Sequence, residues 1–368
     1  MKYYIILLSI ISICYGVVSA KTSISVVDKN DNSPLAGATV IDKYGIIIGI
    51  TDDDGCISVD NQGDMQITIR YMGYKPVTIS PTDTIKLSPA TYELSEVIIQ
   101  PIERPIKRIL CFAREYSSGI AGSDTMQYYC EYMAEAFVAD GKVKGYKSFD
   151  ARPTAKGYKR YARISKNGND SIFIPKYDDD IAELSWYDFM AFVPTDKIVY
   201  PEAIKAGEET DTIYGKYGPQ FVFKRKNNIF TKTADVLSNH KNRKWSPFIF
   251  KLIGMTVDID NGTWNLTFAD NGSNSVGIQD FISGTYNIHL VGKGKWIKKI
   301  FNTTHPIDMN SYLELYPVDL TNCTIDEYKE FQKDYGRLSF QYPKDLQPIS
   351  PAVSRLVKAI EDKYLIEN

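Results

Sequence analysis

The chain has 368 residues, a formal net charge of -2, a sequence pI near 6.0, and 12% aromatic residues that include 26 tyrosines. The near-neutral balance gives no electrostatic reason to expect nucleic acid or an anionic membrane as a partner. The length suffices for two domains and a sizeable core.

Lys2 precedes the apolar run Ile5 to Val18, which ends in Val18-Ser19-Ala20. A cationic start, an apolar stretch and a small-x-small site read as a secretory signal peptide over 1–20, cleaved after Ala20. Ser9, Ser12 and Gly16 interrupt the run, which falls short of a membrane span. Cys14 follows Ile13, where a lipoprotein signal carries a small residue, so it is read as part of the removed segment. The expectation is an exported protein, periplasmic or associated with the outer membrane and not membrane-spanning.

Seven short β runs follow between Ser23 and Leu87, separated by turn residues, as in a sandwich. They are Ser23–Asp28, Ala38–Asp42, Ile46–Thr51, Cys56–Val59, Met65–Met72, Lys75–Ile79 and Thr84–Leu87. Pro34 sits in a turn, Tyr44-Gly45 reverses the chain, and Asp52-Asp53-Asp54-Gly55 is a loop whose carboxylates can cap amides. A calcium loop would need a Glu six residues after the glycine, where Asn61 stands. The solvated turn is the better reading.

The ordered set Pro34, Leu35, Gly37, Val40, Gly49, Thr51, Asp52, Gly55, Tyr71, Gly73, Tyr74, Leu94, Glu96 and Val97 resembles the carboxypeptidase-like regulatory domain. That family is a transthyretin-like β-sandwich common in envelope proteins of the Bacteroidetes. The resemblance implies a domain over 21–99 that folds alone and is not itself a peptidase. Pro34, Gly37, Gly49, Asp52, Gly55, Tyr71, Gly73 and Tyr74 are then structural motif residues. Membership of that group also implies O-glycans on Asp-Ser/Thr-apolar triplets, of which Asp83-Thr84-Ile85, Asp124-Thr125-Met126, Asp170-Ser171-Ile172 and Asp211-Thr212-Ile213 are candidates.

Residues 100–368 read as a second, α+β domain: a large antiparallel sheet, with a half-barrel as one candidate, and a few helices. Ile106, Ile109, Leu110 and Ala113 share a helical face, which predicts a helix there. Asp140-Gly141, Asn167-Gly168, Asn227-Asn228, Asn261-Gly262 and Lys293-Gly294 predict hairpin turns. Alternation marks strands at Tyr158–Ser165, Thr263–Ala269, Thr285–Val291 and Lys295–Phe301. Helices are expected at Ile181–Phe192, at Tyr328–Asp334 and from Ser350-Pro351 onward, where proline suits a first helical turn. The terminal helix argues against an outer-membrane barrel. The region also loosely resembles the uncharacterised segment that follows the regulatory domain in many of those envelope proteins.

Signals for chemistry are sparse. GxSxG, HExxH and HxxE are absent. His240, His289 and His305 have no acidic neighbour in sequence, and His289 on a strand reads as structural. Asp178, Asp179, Asp180 and Glu183 form an acidic run that reads as an exposed loop sooner than as a glycosidase pair. Trp186-Tyr187, Trp245, Trp264 and Trp296 could stack on sugars, although tryptophans on strands more often pack in cores. Cys56, Cys111, Cys130 and Cys323 have no metal spacing; a Cys111–Cys130 disulfide and buried free thiols are both open. No cofactor or metal is expected. The resulting expectation is a non-enzymatic envelope protein, a binding or assembly module for an envelope protein or glycan. Glycan binding through surface aromatics and lipid or lipopeptide carriage are the alternatives.

Overall fold

The computed structural model describes residues 21–60, 66–90, 104–139, 141–147, 154–166, 169–173, 193–252, 254–295, 298, 304–333, 340–344 and 346–367. The signal segment, Asn61, the acidic run at 178–183, the helix expected at 181–192, Trp186-Tyr187 and Trp296 all lie outside them.

The first seven strands follow the sequence reading closely. They are β1 (Lys21–Asp28), β2 (Thr39–Asp42), β3 (Ile47–Ile50), β4 (Cys56–Asp60), β5 (Ile67–Arg70), β6 (Val77–Ile79) and β7 (Thr84–Leu87). One sheet has the order β4-β1-β7 and the other β3-β2-β5-β6. Ile24, Val26, Val40, Ile67, Ile69 and Ile85 fill the space between them. The turn residues explain the reversals. Asp52 Oδ1 accepts from the backbone N–H groups of Asp54 (3.1 Å) and Cys56 (2.7 Å), so its carboxylate is spent on the loop. Gly55 has φ +72°, and a Cβ there would lie 2.7 Å from the Val26 carbonyl oxygen. Pro34 forms a β-bridge with Val27. Tyr71 and Tyr74 are in ring contact at 5.3 Å, and the Tyr74 hydroxyl donates to Asp28 Oδ2 at 2.6 Å.

The remainder is mainly β. Its strands are β8 (Ile106–Ala121), β9 (Asp124–Ala139), β10 (Thr154–Lys166), β11 (Asn169–Phe173), β12 (Ile198–Val199), β13 (Thr210–Gly215), β14 (Gly218–Lys226), β15 (Ile229–Asp235), β16 (Met255–Ala269), β17 (Ser275–Val276), β18 (Phe281–Gly294) and β19 (Ile307–Cys323). Ten of them form one sheet in the order β11-β10-β9-β8-β19-β18-β16-β15-β14-β13, with every pair antiparallel. The sheet is open, with β11 and β13 at its edges. Among the described residues the α-helices are few: α1 (Glu202–Lys205), α2 (Phe248–Leu252), α3 (Ile325–Lys333) and α4 (Pro351–Glu367).

Several expectations are corrected here. Residues 106–113 belong to β8, not to a helix. Ile109 through Ala113 are consecutively buried because both faces of the strand are covered, and such a strand loses its period-two signal. Asn261-Gly262 lies inside β16, not at a hairpin; the register shifts there, and a Cβ on Gly262 would meet Val236 Cγ2 at 2.3 Å. That glycine serves a close approach. Lys293-Gly294 ends β18 without a tight turn, since its antiparallel partner β19 starts only at Ile307. Lys295 and Lys298, within the run expected to be a strand, are helical. Asp140 of the expected Asp140-Gly141 hairpin lies outside the described residues; β9 ends at Ala139 and β10 begins only at Thr154. The Asn227-Asn228 hairpin is present, with φ of 54° and 60° at its two residues. β10 and β11 pair with Lys166 opposite Asn169, while Asn167-Gly168 between them lies outside the described residues. The four described cysteines, Cys56, Cys111, Cys130 and Cys323, are free: Cys111 registers with Ala134 and Cys130 with Glu115, which sets the two sulfurs several residues apart along the ladder.

The two parts share an interface. One face of the large sheet carries a core of Ile109, Cys111, Leu313, Leu315 and Tyr286, and Tyr200, Ile204 and Val276 pack into it. The other face lies under the sheet β3-β2-β5-β6. Thr39 Oγ1 donates to Asn287 Oδ1 (2.8 Å), and the Ile47 N–H donates to Ser118 Oγ (3.1 Å). α4, capped by Ser350 Oγ accepting from the Val353 N–H (3.3 Å), sets Val353, Leu356 and Ile360 against Ile41, Ile47, Tyr116 and Tyr312. It thereby touches both parts at once.

Candidate functional site

Where β3 overhangs the large sheet, the two parts leave a cleft of about 390 Å³. Its upper wall is aliphatic: Ile47, Ile48, Ile50 and Ile57, with Gly49 in the middle of β3. Its floor is polar and comes from three neighbouring strands, with Asp260 and Asn261 on β16, His289 on β18 and Asn310 on β19. Strand register brings them together. His289 is opposite both Asn261 and Asn310, and the bulge in β16 turns Asp260 toward the imidazole.

His289 is held from both sides. Its Nδ1 bonds Asp260 Oδ1, and its Nε2 bonds Asp308 Oδ1 at 2.8 Å. Burial disfavours the charged ring, but the hydrogen bonds and charges of Asp260 and Asp308 outweigh it and raise the pKa above its ordinary value. When protonated, the ring donates through both nitrogens and has no lone pair left to take a proton or bind a metal. The side-chain amide of Asn310 forms no hydrogen bond among the described residues, and it lines the cleft. The arrangement can hydrogen-bond a polar ligand on one side and pack an apolar surface on the other.

Sequence reasoning placed His289 on a strand but missed its acidic partners. Asp260 and Asp308 are 29 and 19 residues away and meet it only through antiparallel pairing. The motif residues Pro34, Gly37, Gly55, Tyr71, Gly73 and Tyr74 stay within the sandwich and its contacts, and of the motif set only Gly49 lines the cleft. Trp245 and Trp264 pack at the margin of the main core, and Trp245 stacks on His240 at 5.3 Å. Among the described residues no cluster of three or more His, Cys, Asp or Glu is arranged to hold a metal ion, and no helix is long and apolar enough to cross a membrane.

Comparison with known proteins identifies residues 25–99 as a CarboxypepD_reg-like domain. No curated protein sequence matches the chain. Among solved structures, lipovitellin, determined for its lipid–protein interactions, aligns at 11% identity and a TM-score of 0.30. That alignment covers 66% of this chain and 26% of lipovitellin. An AttH protein from Nitrosomonas europaea aligns at 8% identity and a TM-score of 0.15, over 57% of this chain and 51% of its own. The chain thus spans about a quarter and about half of the lengths of these two proteins.

Proposed function

We propose that the protein is a non-enzymatic, exported cell-envelope binding module, and that the cleft under β3 holds its ligand, a neutral polyhydroxylated group such as a glycan end. One observation carries this reading: the cleft has an isoleucine wall facing a floor of amide and imidazole–carboxylate groups. A sugar ring has the matching anatomy, an apolar face and a rim of hydroxyls. The volume falls within the roughly 300–1,000 Å³ typical of small-ligand sites. The engagement of both His289 nitrogens favours binding over proton-transfer chemistry, since a general base needs a free nitrogen. The apolar N-terminal run and the regulatory domain support an envelope location.

Titration calorimetry with a panel of neutral oligosaccharides tests this. Binding by the wild type that weakens at least tenfold in Asn310→Ala supports the cleft as the site. Equal binding by both proteins, or none by either across the panel, counts against it.

A further inference from the structure

A second surface lies at the end of the large sheet where β16 begins and β18 ends. Phe248 and Leu252 of α2 are each 68% exposed. They stand four residues apart, so they share one face of the turn, and Lys251 projects beside them. The turn is anchored from below, because Pro247 is buried and Phe250 packs against the main core. The outward position of Phe248 and Leu252 is therefore set by the fold.

Lysines surround this pair. Met255, just beyond α2, registers with Gly294 at the end of β18, and the Lys295 N–H donates to the Gly254 carbonyl at 3.1 Å. Lys293 and Lys295 are thereby brought alongside α2, and both are exposed, as is Lys251. Nearby carboxylates are already engaged. Asp258, which feels the charge of Lys251, is bonded by Lys244 (2.9 Å) and by Ser246. Asp260 and Asp308 close on His289. Among the described residues, Lys251, Lys293 and Lys295 form no ion pair.

We infer that this corner of the sheet docks onto an anionic lipid surface. The chemistry fits that occupant on both counts. Ammonium groups reach lipid phosphates while a phenyl ring and an isobutyl group enter the boundary between headgroups and acyl chains. A nucleic acid would use the lysines and have no use for Leu252. The overall charge of -2 does not reveal the patch, because the basic groups are clustered locally. The inference is independent of what occupies the β3 cleft.

The test uses the protein as processed by an exporting host. It is sedimented with vesicles of phosphatidylcholine alone and of phosphatidylcholine mixed with about a third phosphatidylglycerol. The expected result is binding to the anionic vesicles that falls as salt rises, with little binding to the neutral ones. Phe248→Ser combined with Leu252→Ser lowers the partition coefficient on the order of tenfold or more. Lys251→Gln and Lys295→Gln each lower it about fivefold. Circular dichroism should be unchanged in these surface variants, which separates lost docking from lost folding. Failure of the wild type to sediment with anionic vesicles overturns the inference. So does binding that follows the lysines but ignores Phe248 and Leu252, which would mark a general polyanion surface.

Discussion

Arg70 on β5 and Glu314 on β19 form an ion pair at 2.7 Å with their side chains only 2% and 3% exposed. The pair joins the sandwich to the large sheet through charge removed from water. Arg70 Nε donates to Glu314 Oε1 at 2.8 Å, and its Nη1 donates to the Pro348 carbonyl at 2.5 Å. Arg114 Nε donates to the other Glu314 oxygen, and the hydroxyls of Tyr312 (2.9 Å) and Tyr316 (3.2 Å) also donate to this carboxylate. One carboxylate thus serves two guanidiniums, and the relative placement of β3 and the cleft floor depends on it.

Removing Glu314 should be the most damaging change in this cluster. Glu314→Ala leaves Arg70 and Arg114 buried without a counter-charge, and the expected loss is roughly 3–5 kcal/mol. Arg70→Met should cost less, since Arg114 still neutralises the carboxylate. Urea denaturation midpoints at neutral pH check the order; an Arg70→Met variant as unstable as Glu314→Ala would contradict it.

Acid stability follows from the same carboxylate. Burial alone would push the Glu314 carboxyl up, but Arg114 and Arg70 outweigh it and bring it from 4.5 to about 2. A group depressed in the folded state contributes stability above its unfolded pKa and loses it as pH falls through the folded one. The stability difference between wild type and Glu314→Gln should therefore be constant above about pH 5 and shrink toward pH 2. A difference independent of pH in that window would contradict the assignment.

His289 should act with the opposite sign. Its folded pKa is raised above 6.5, so its contribution is full below that value and declines as pH rises through the folded pKa. Thermal unfolding of wild type and His289→Gln should differ most near pH 6 and converge in alkaline solution. A gap that widens with rising pH would mean a neutral histidine in the fold.

The sandwich was legible in the sequence because its order rests on turn chemistry, which is local. Asp52-Asp53-Asp54-Gly55 announces its turn through a side-chain cap and positive φ, as Asn227-Asn228 does by positive φ in the large sheet. β8 was not legible, since Leu110, Phe112, Arg114 and Tyr116 pack under the sandwich side while Ile109, Cys111 and Ala113 face the main core. Burial on both faces erased the alternation that reveals a strand. The Arg70–Glu314–Arg114 cluster and the His289 cradle were hidden for another reason. Each joins residues far apart in sequence, and only sheet order makes them neighbours.

Gly55 offers a local test of the sandwich. Its φ of +72° and the nearby Val26 carbonyl leave no room for a methyl group. Gly55→Ala should lower stability by roughly 1–3 kcal/mol. A neutral substitution in chemical denaturation would mean the loop relaxes freely.

Occupancy of the cleft is read most directly from isoleucine-methyl NMR spectra during titration with neutral oligosaccharides. Ile47, Ile48, Ile50 and Ile57 form the cleft wall, while Ile24, Ile67 and Ile85 lie in the sandwich core and serve as internal references. The predicted result is saturable shifts at the four wall residues, unmoved references, and loss of the response in Asn310→Ala. Unchanged wall methyls across the whole panel, or shifts of equal size at the core references, would contradict ligand binding under β3.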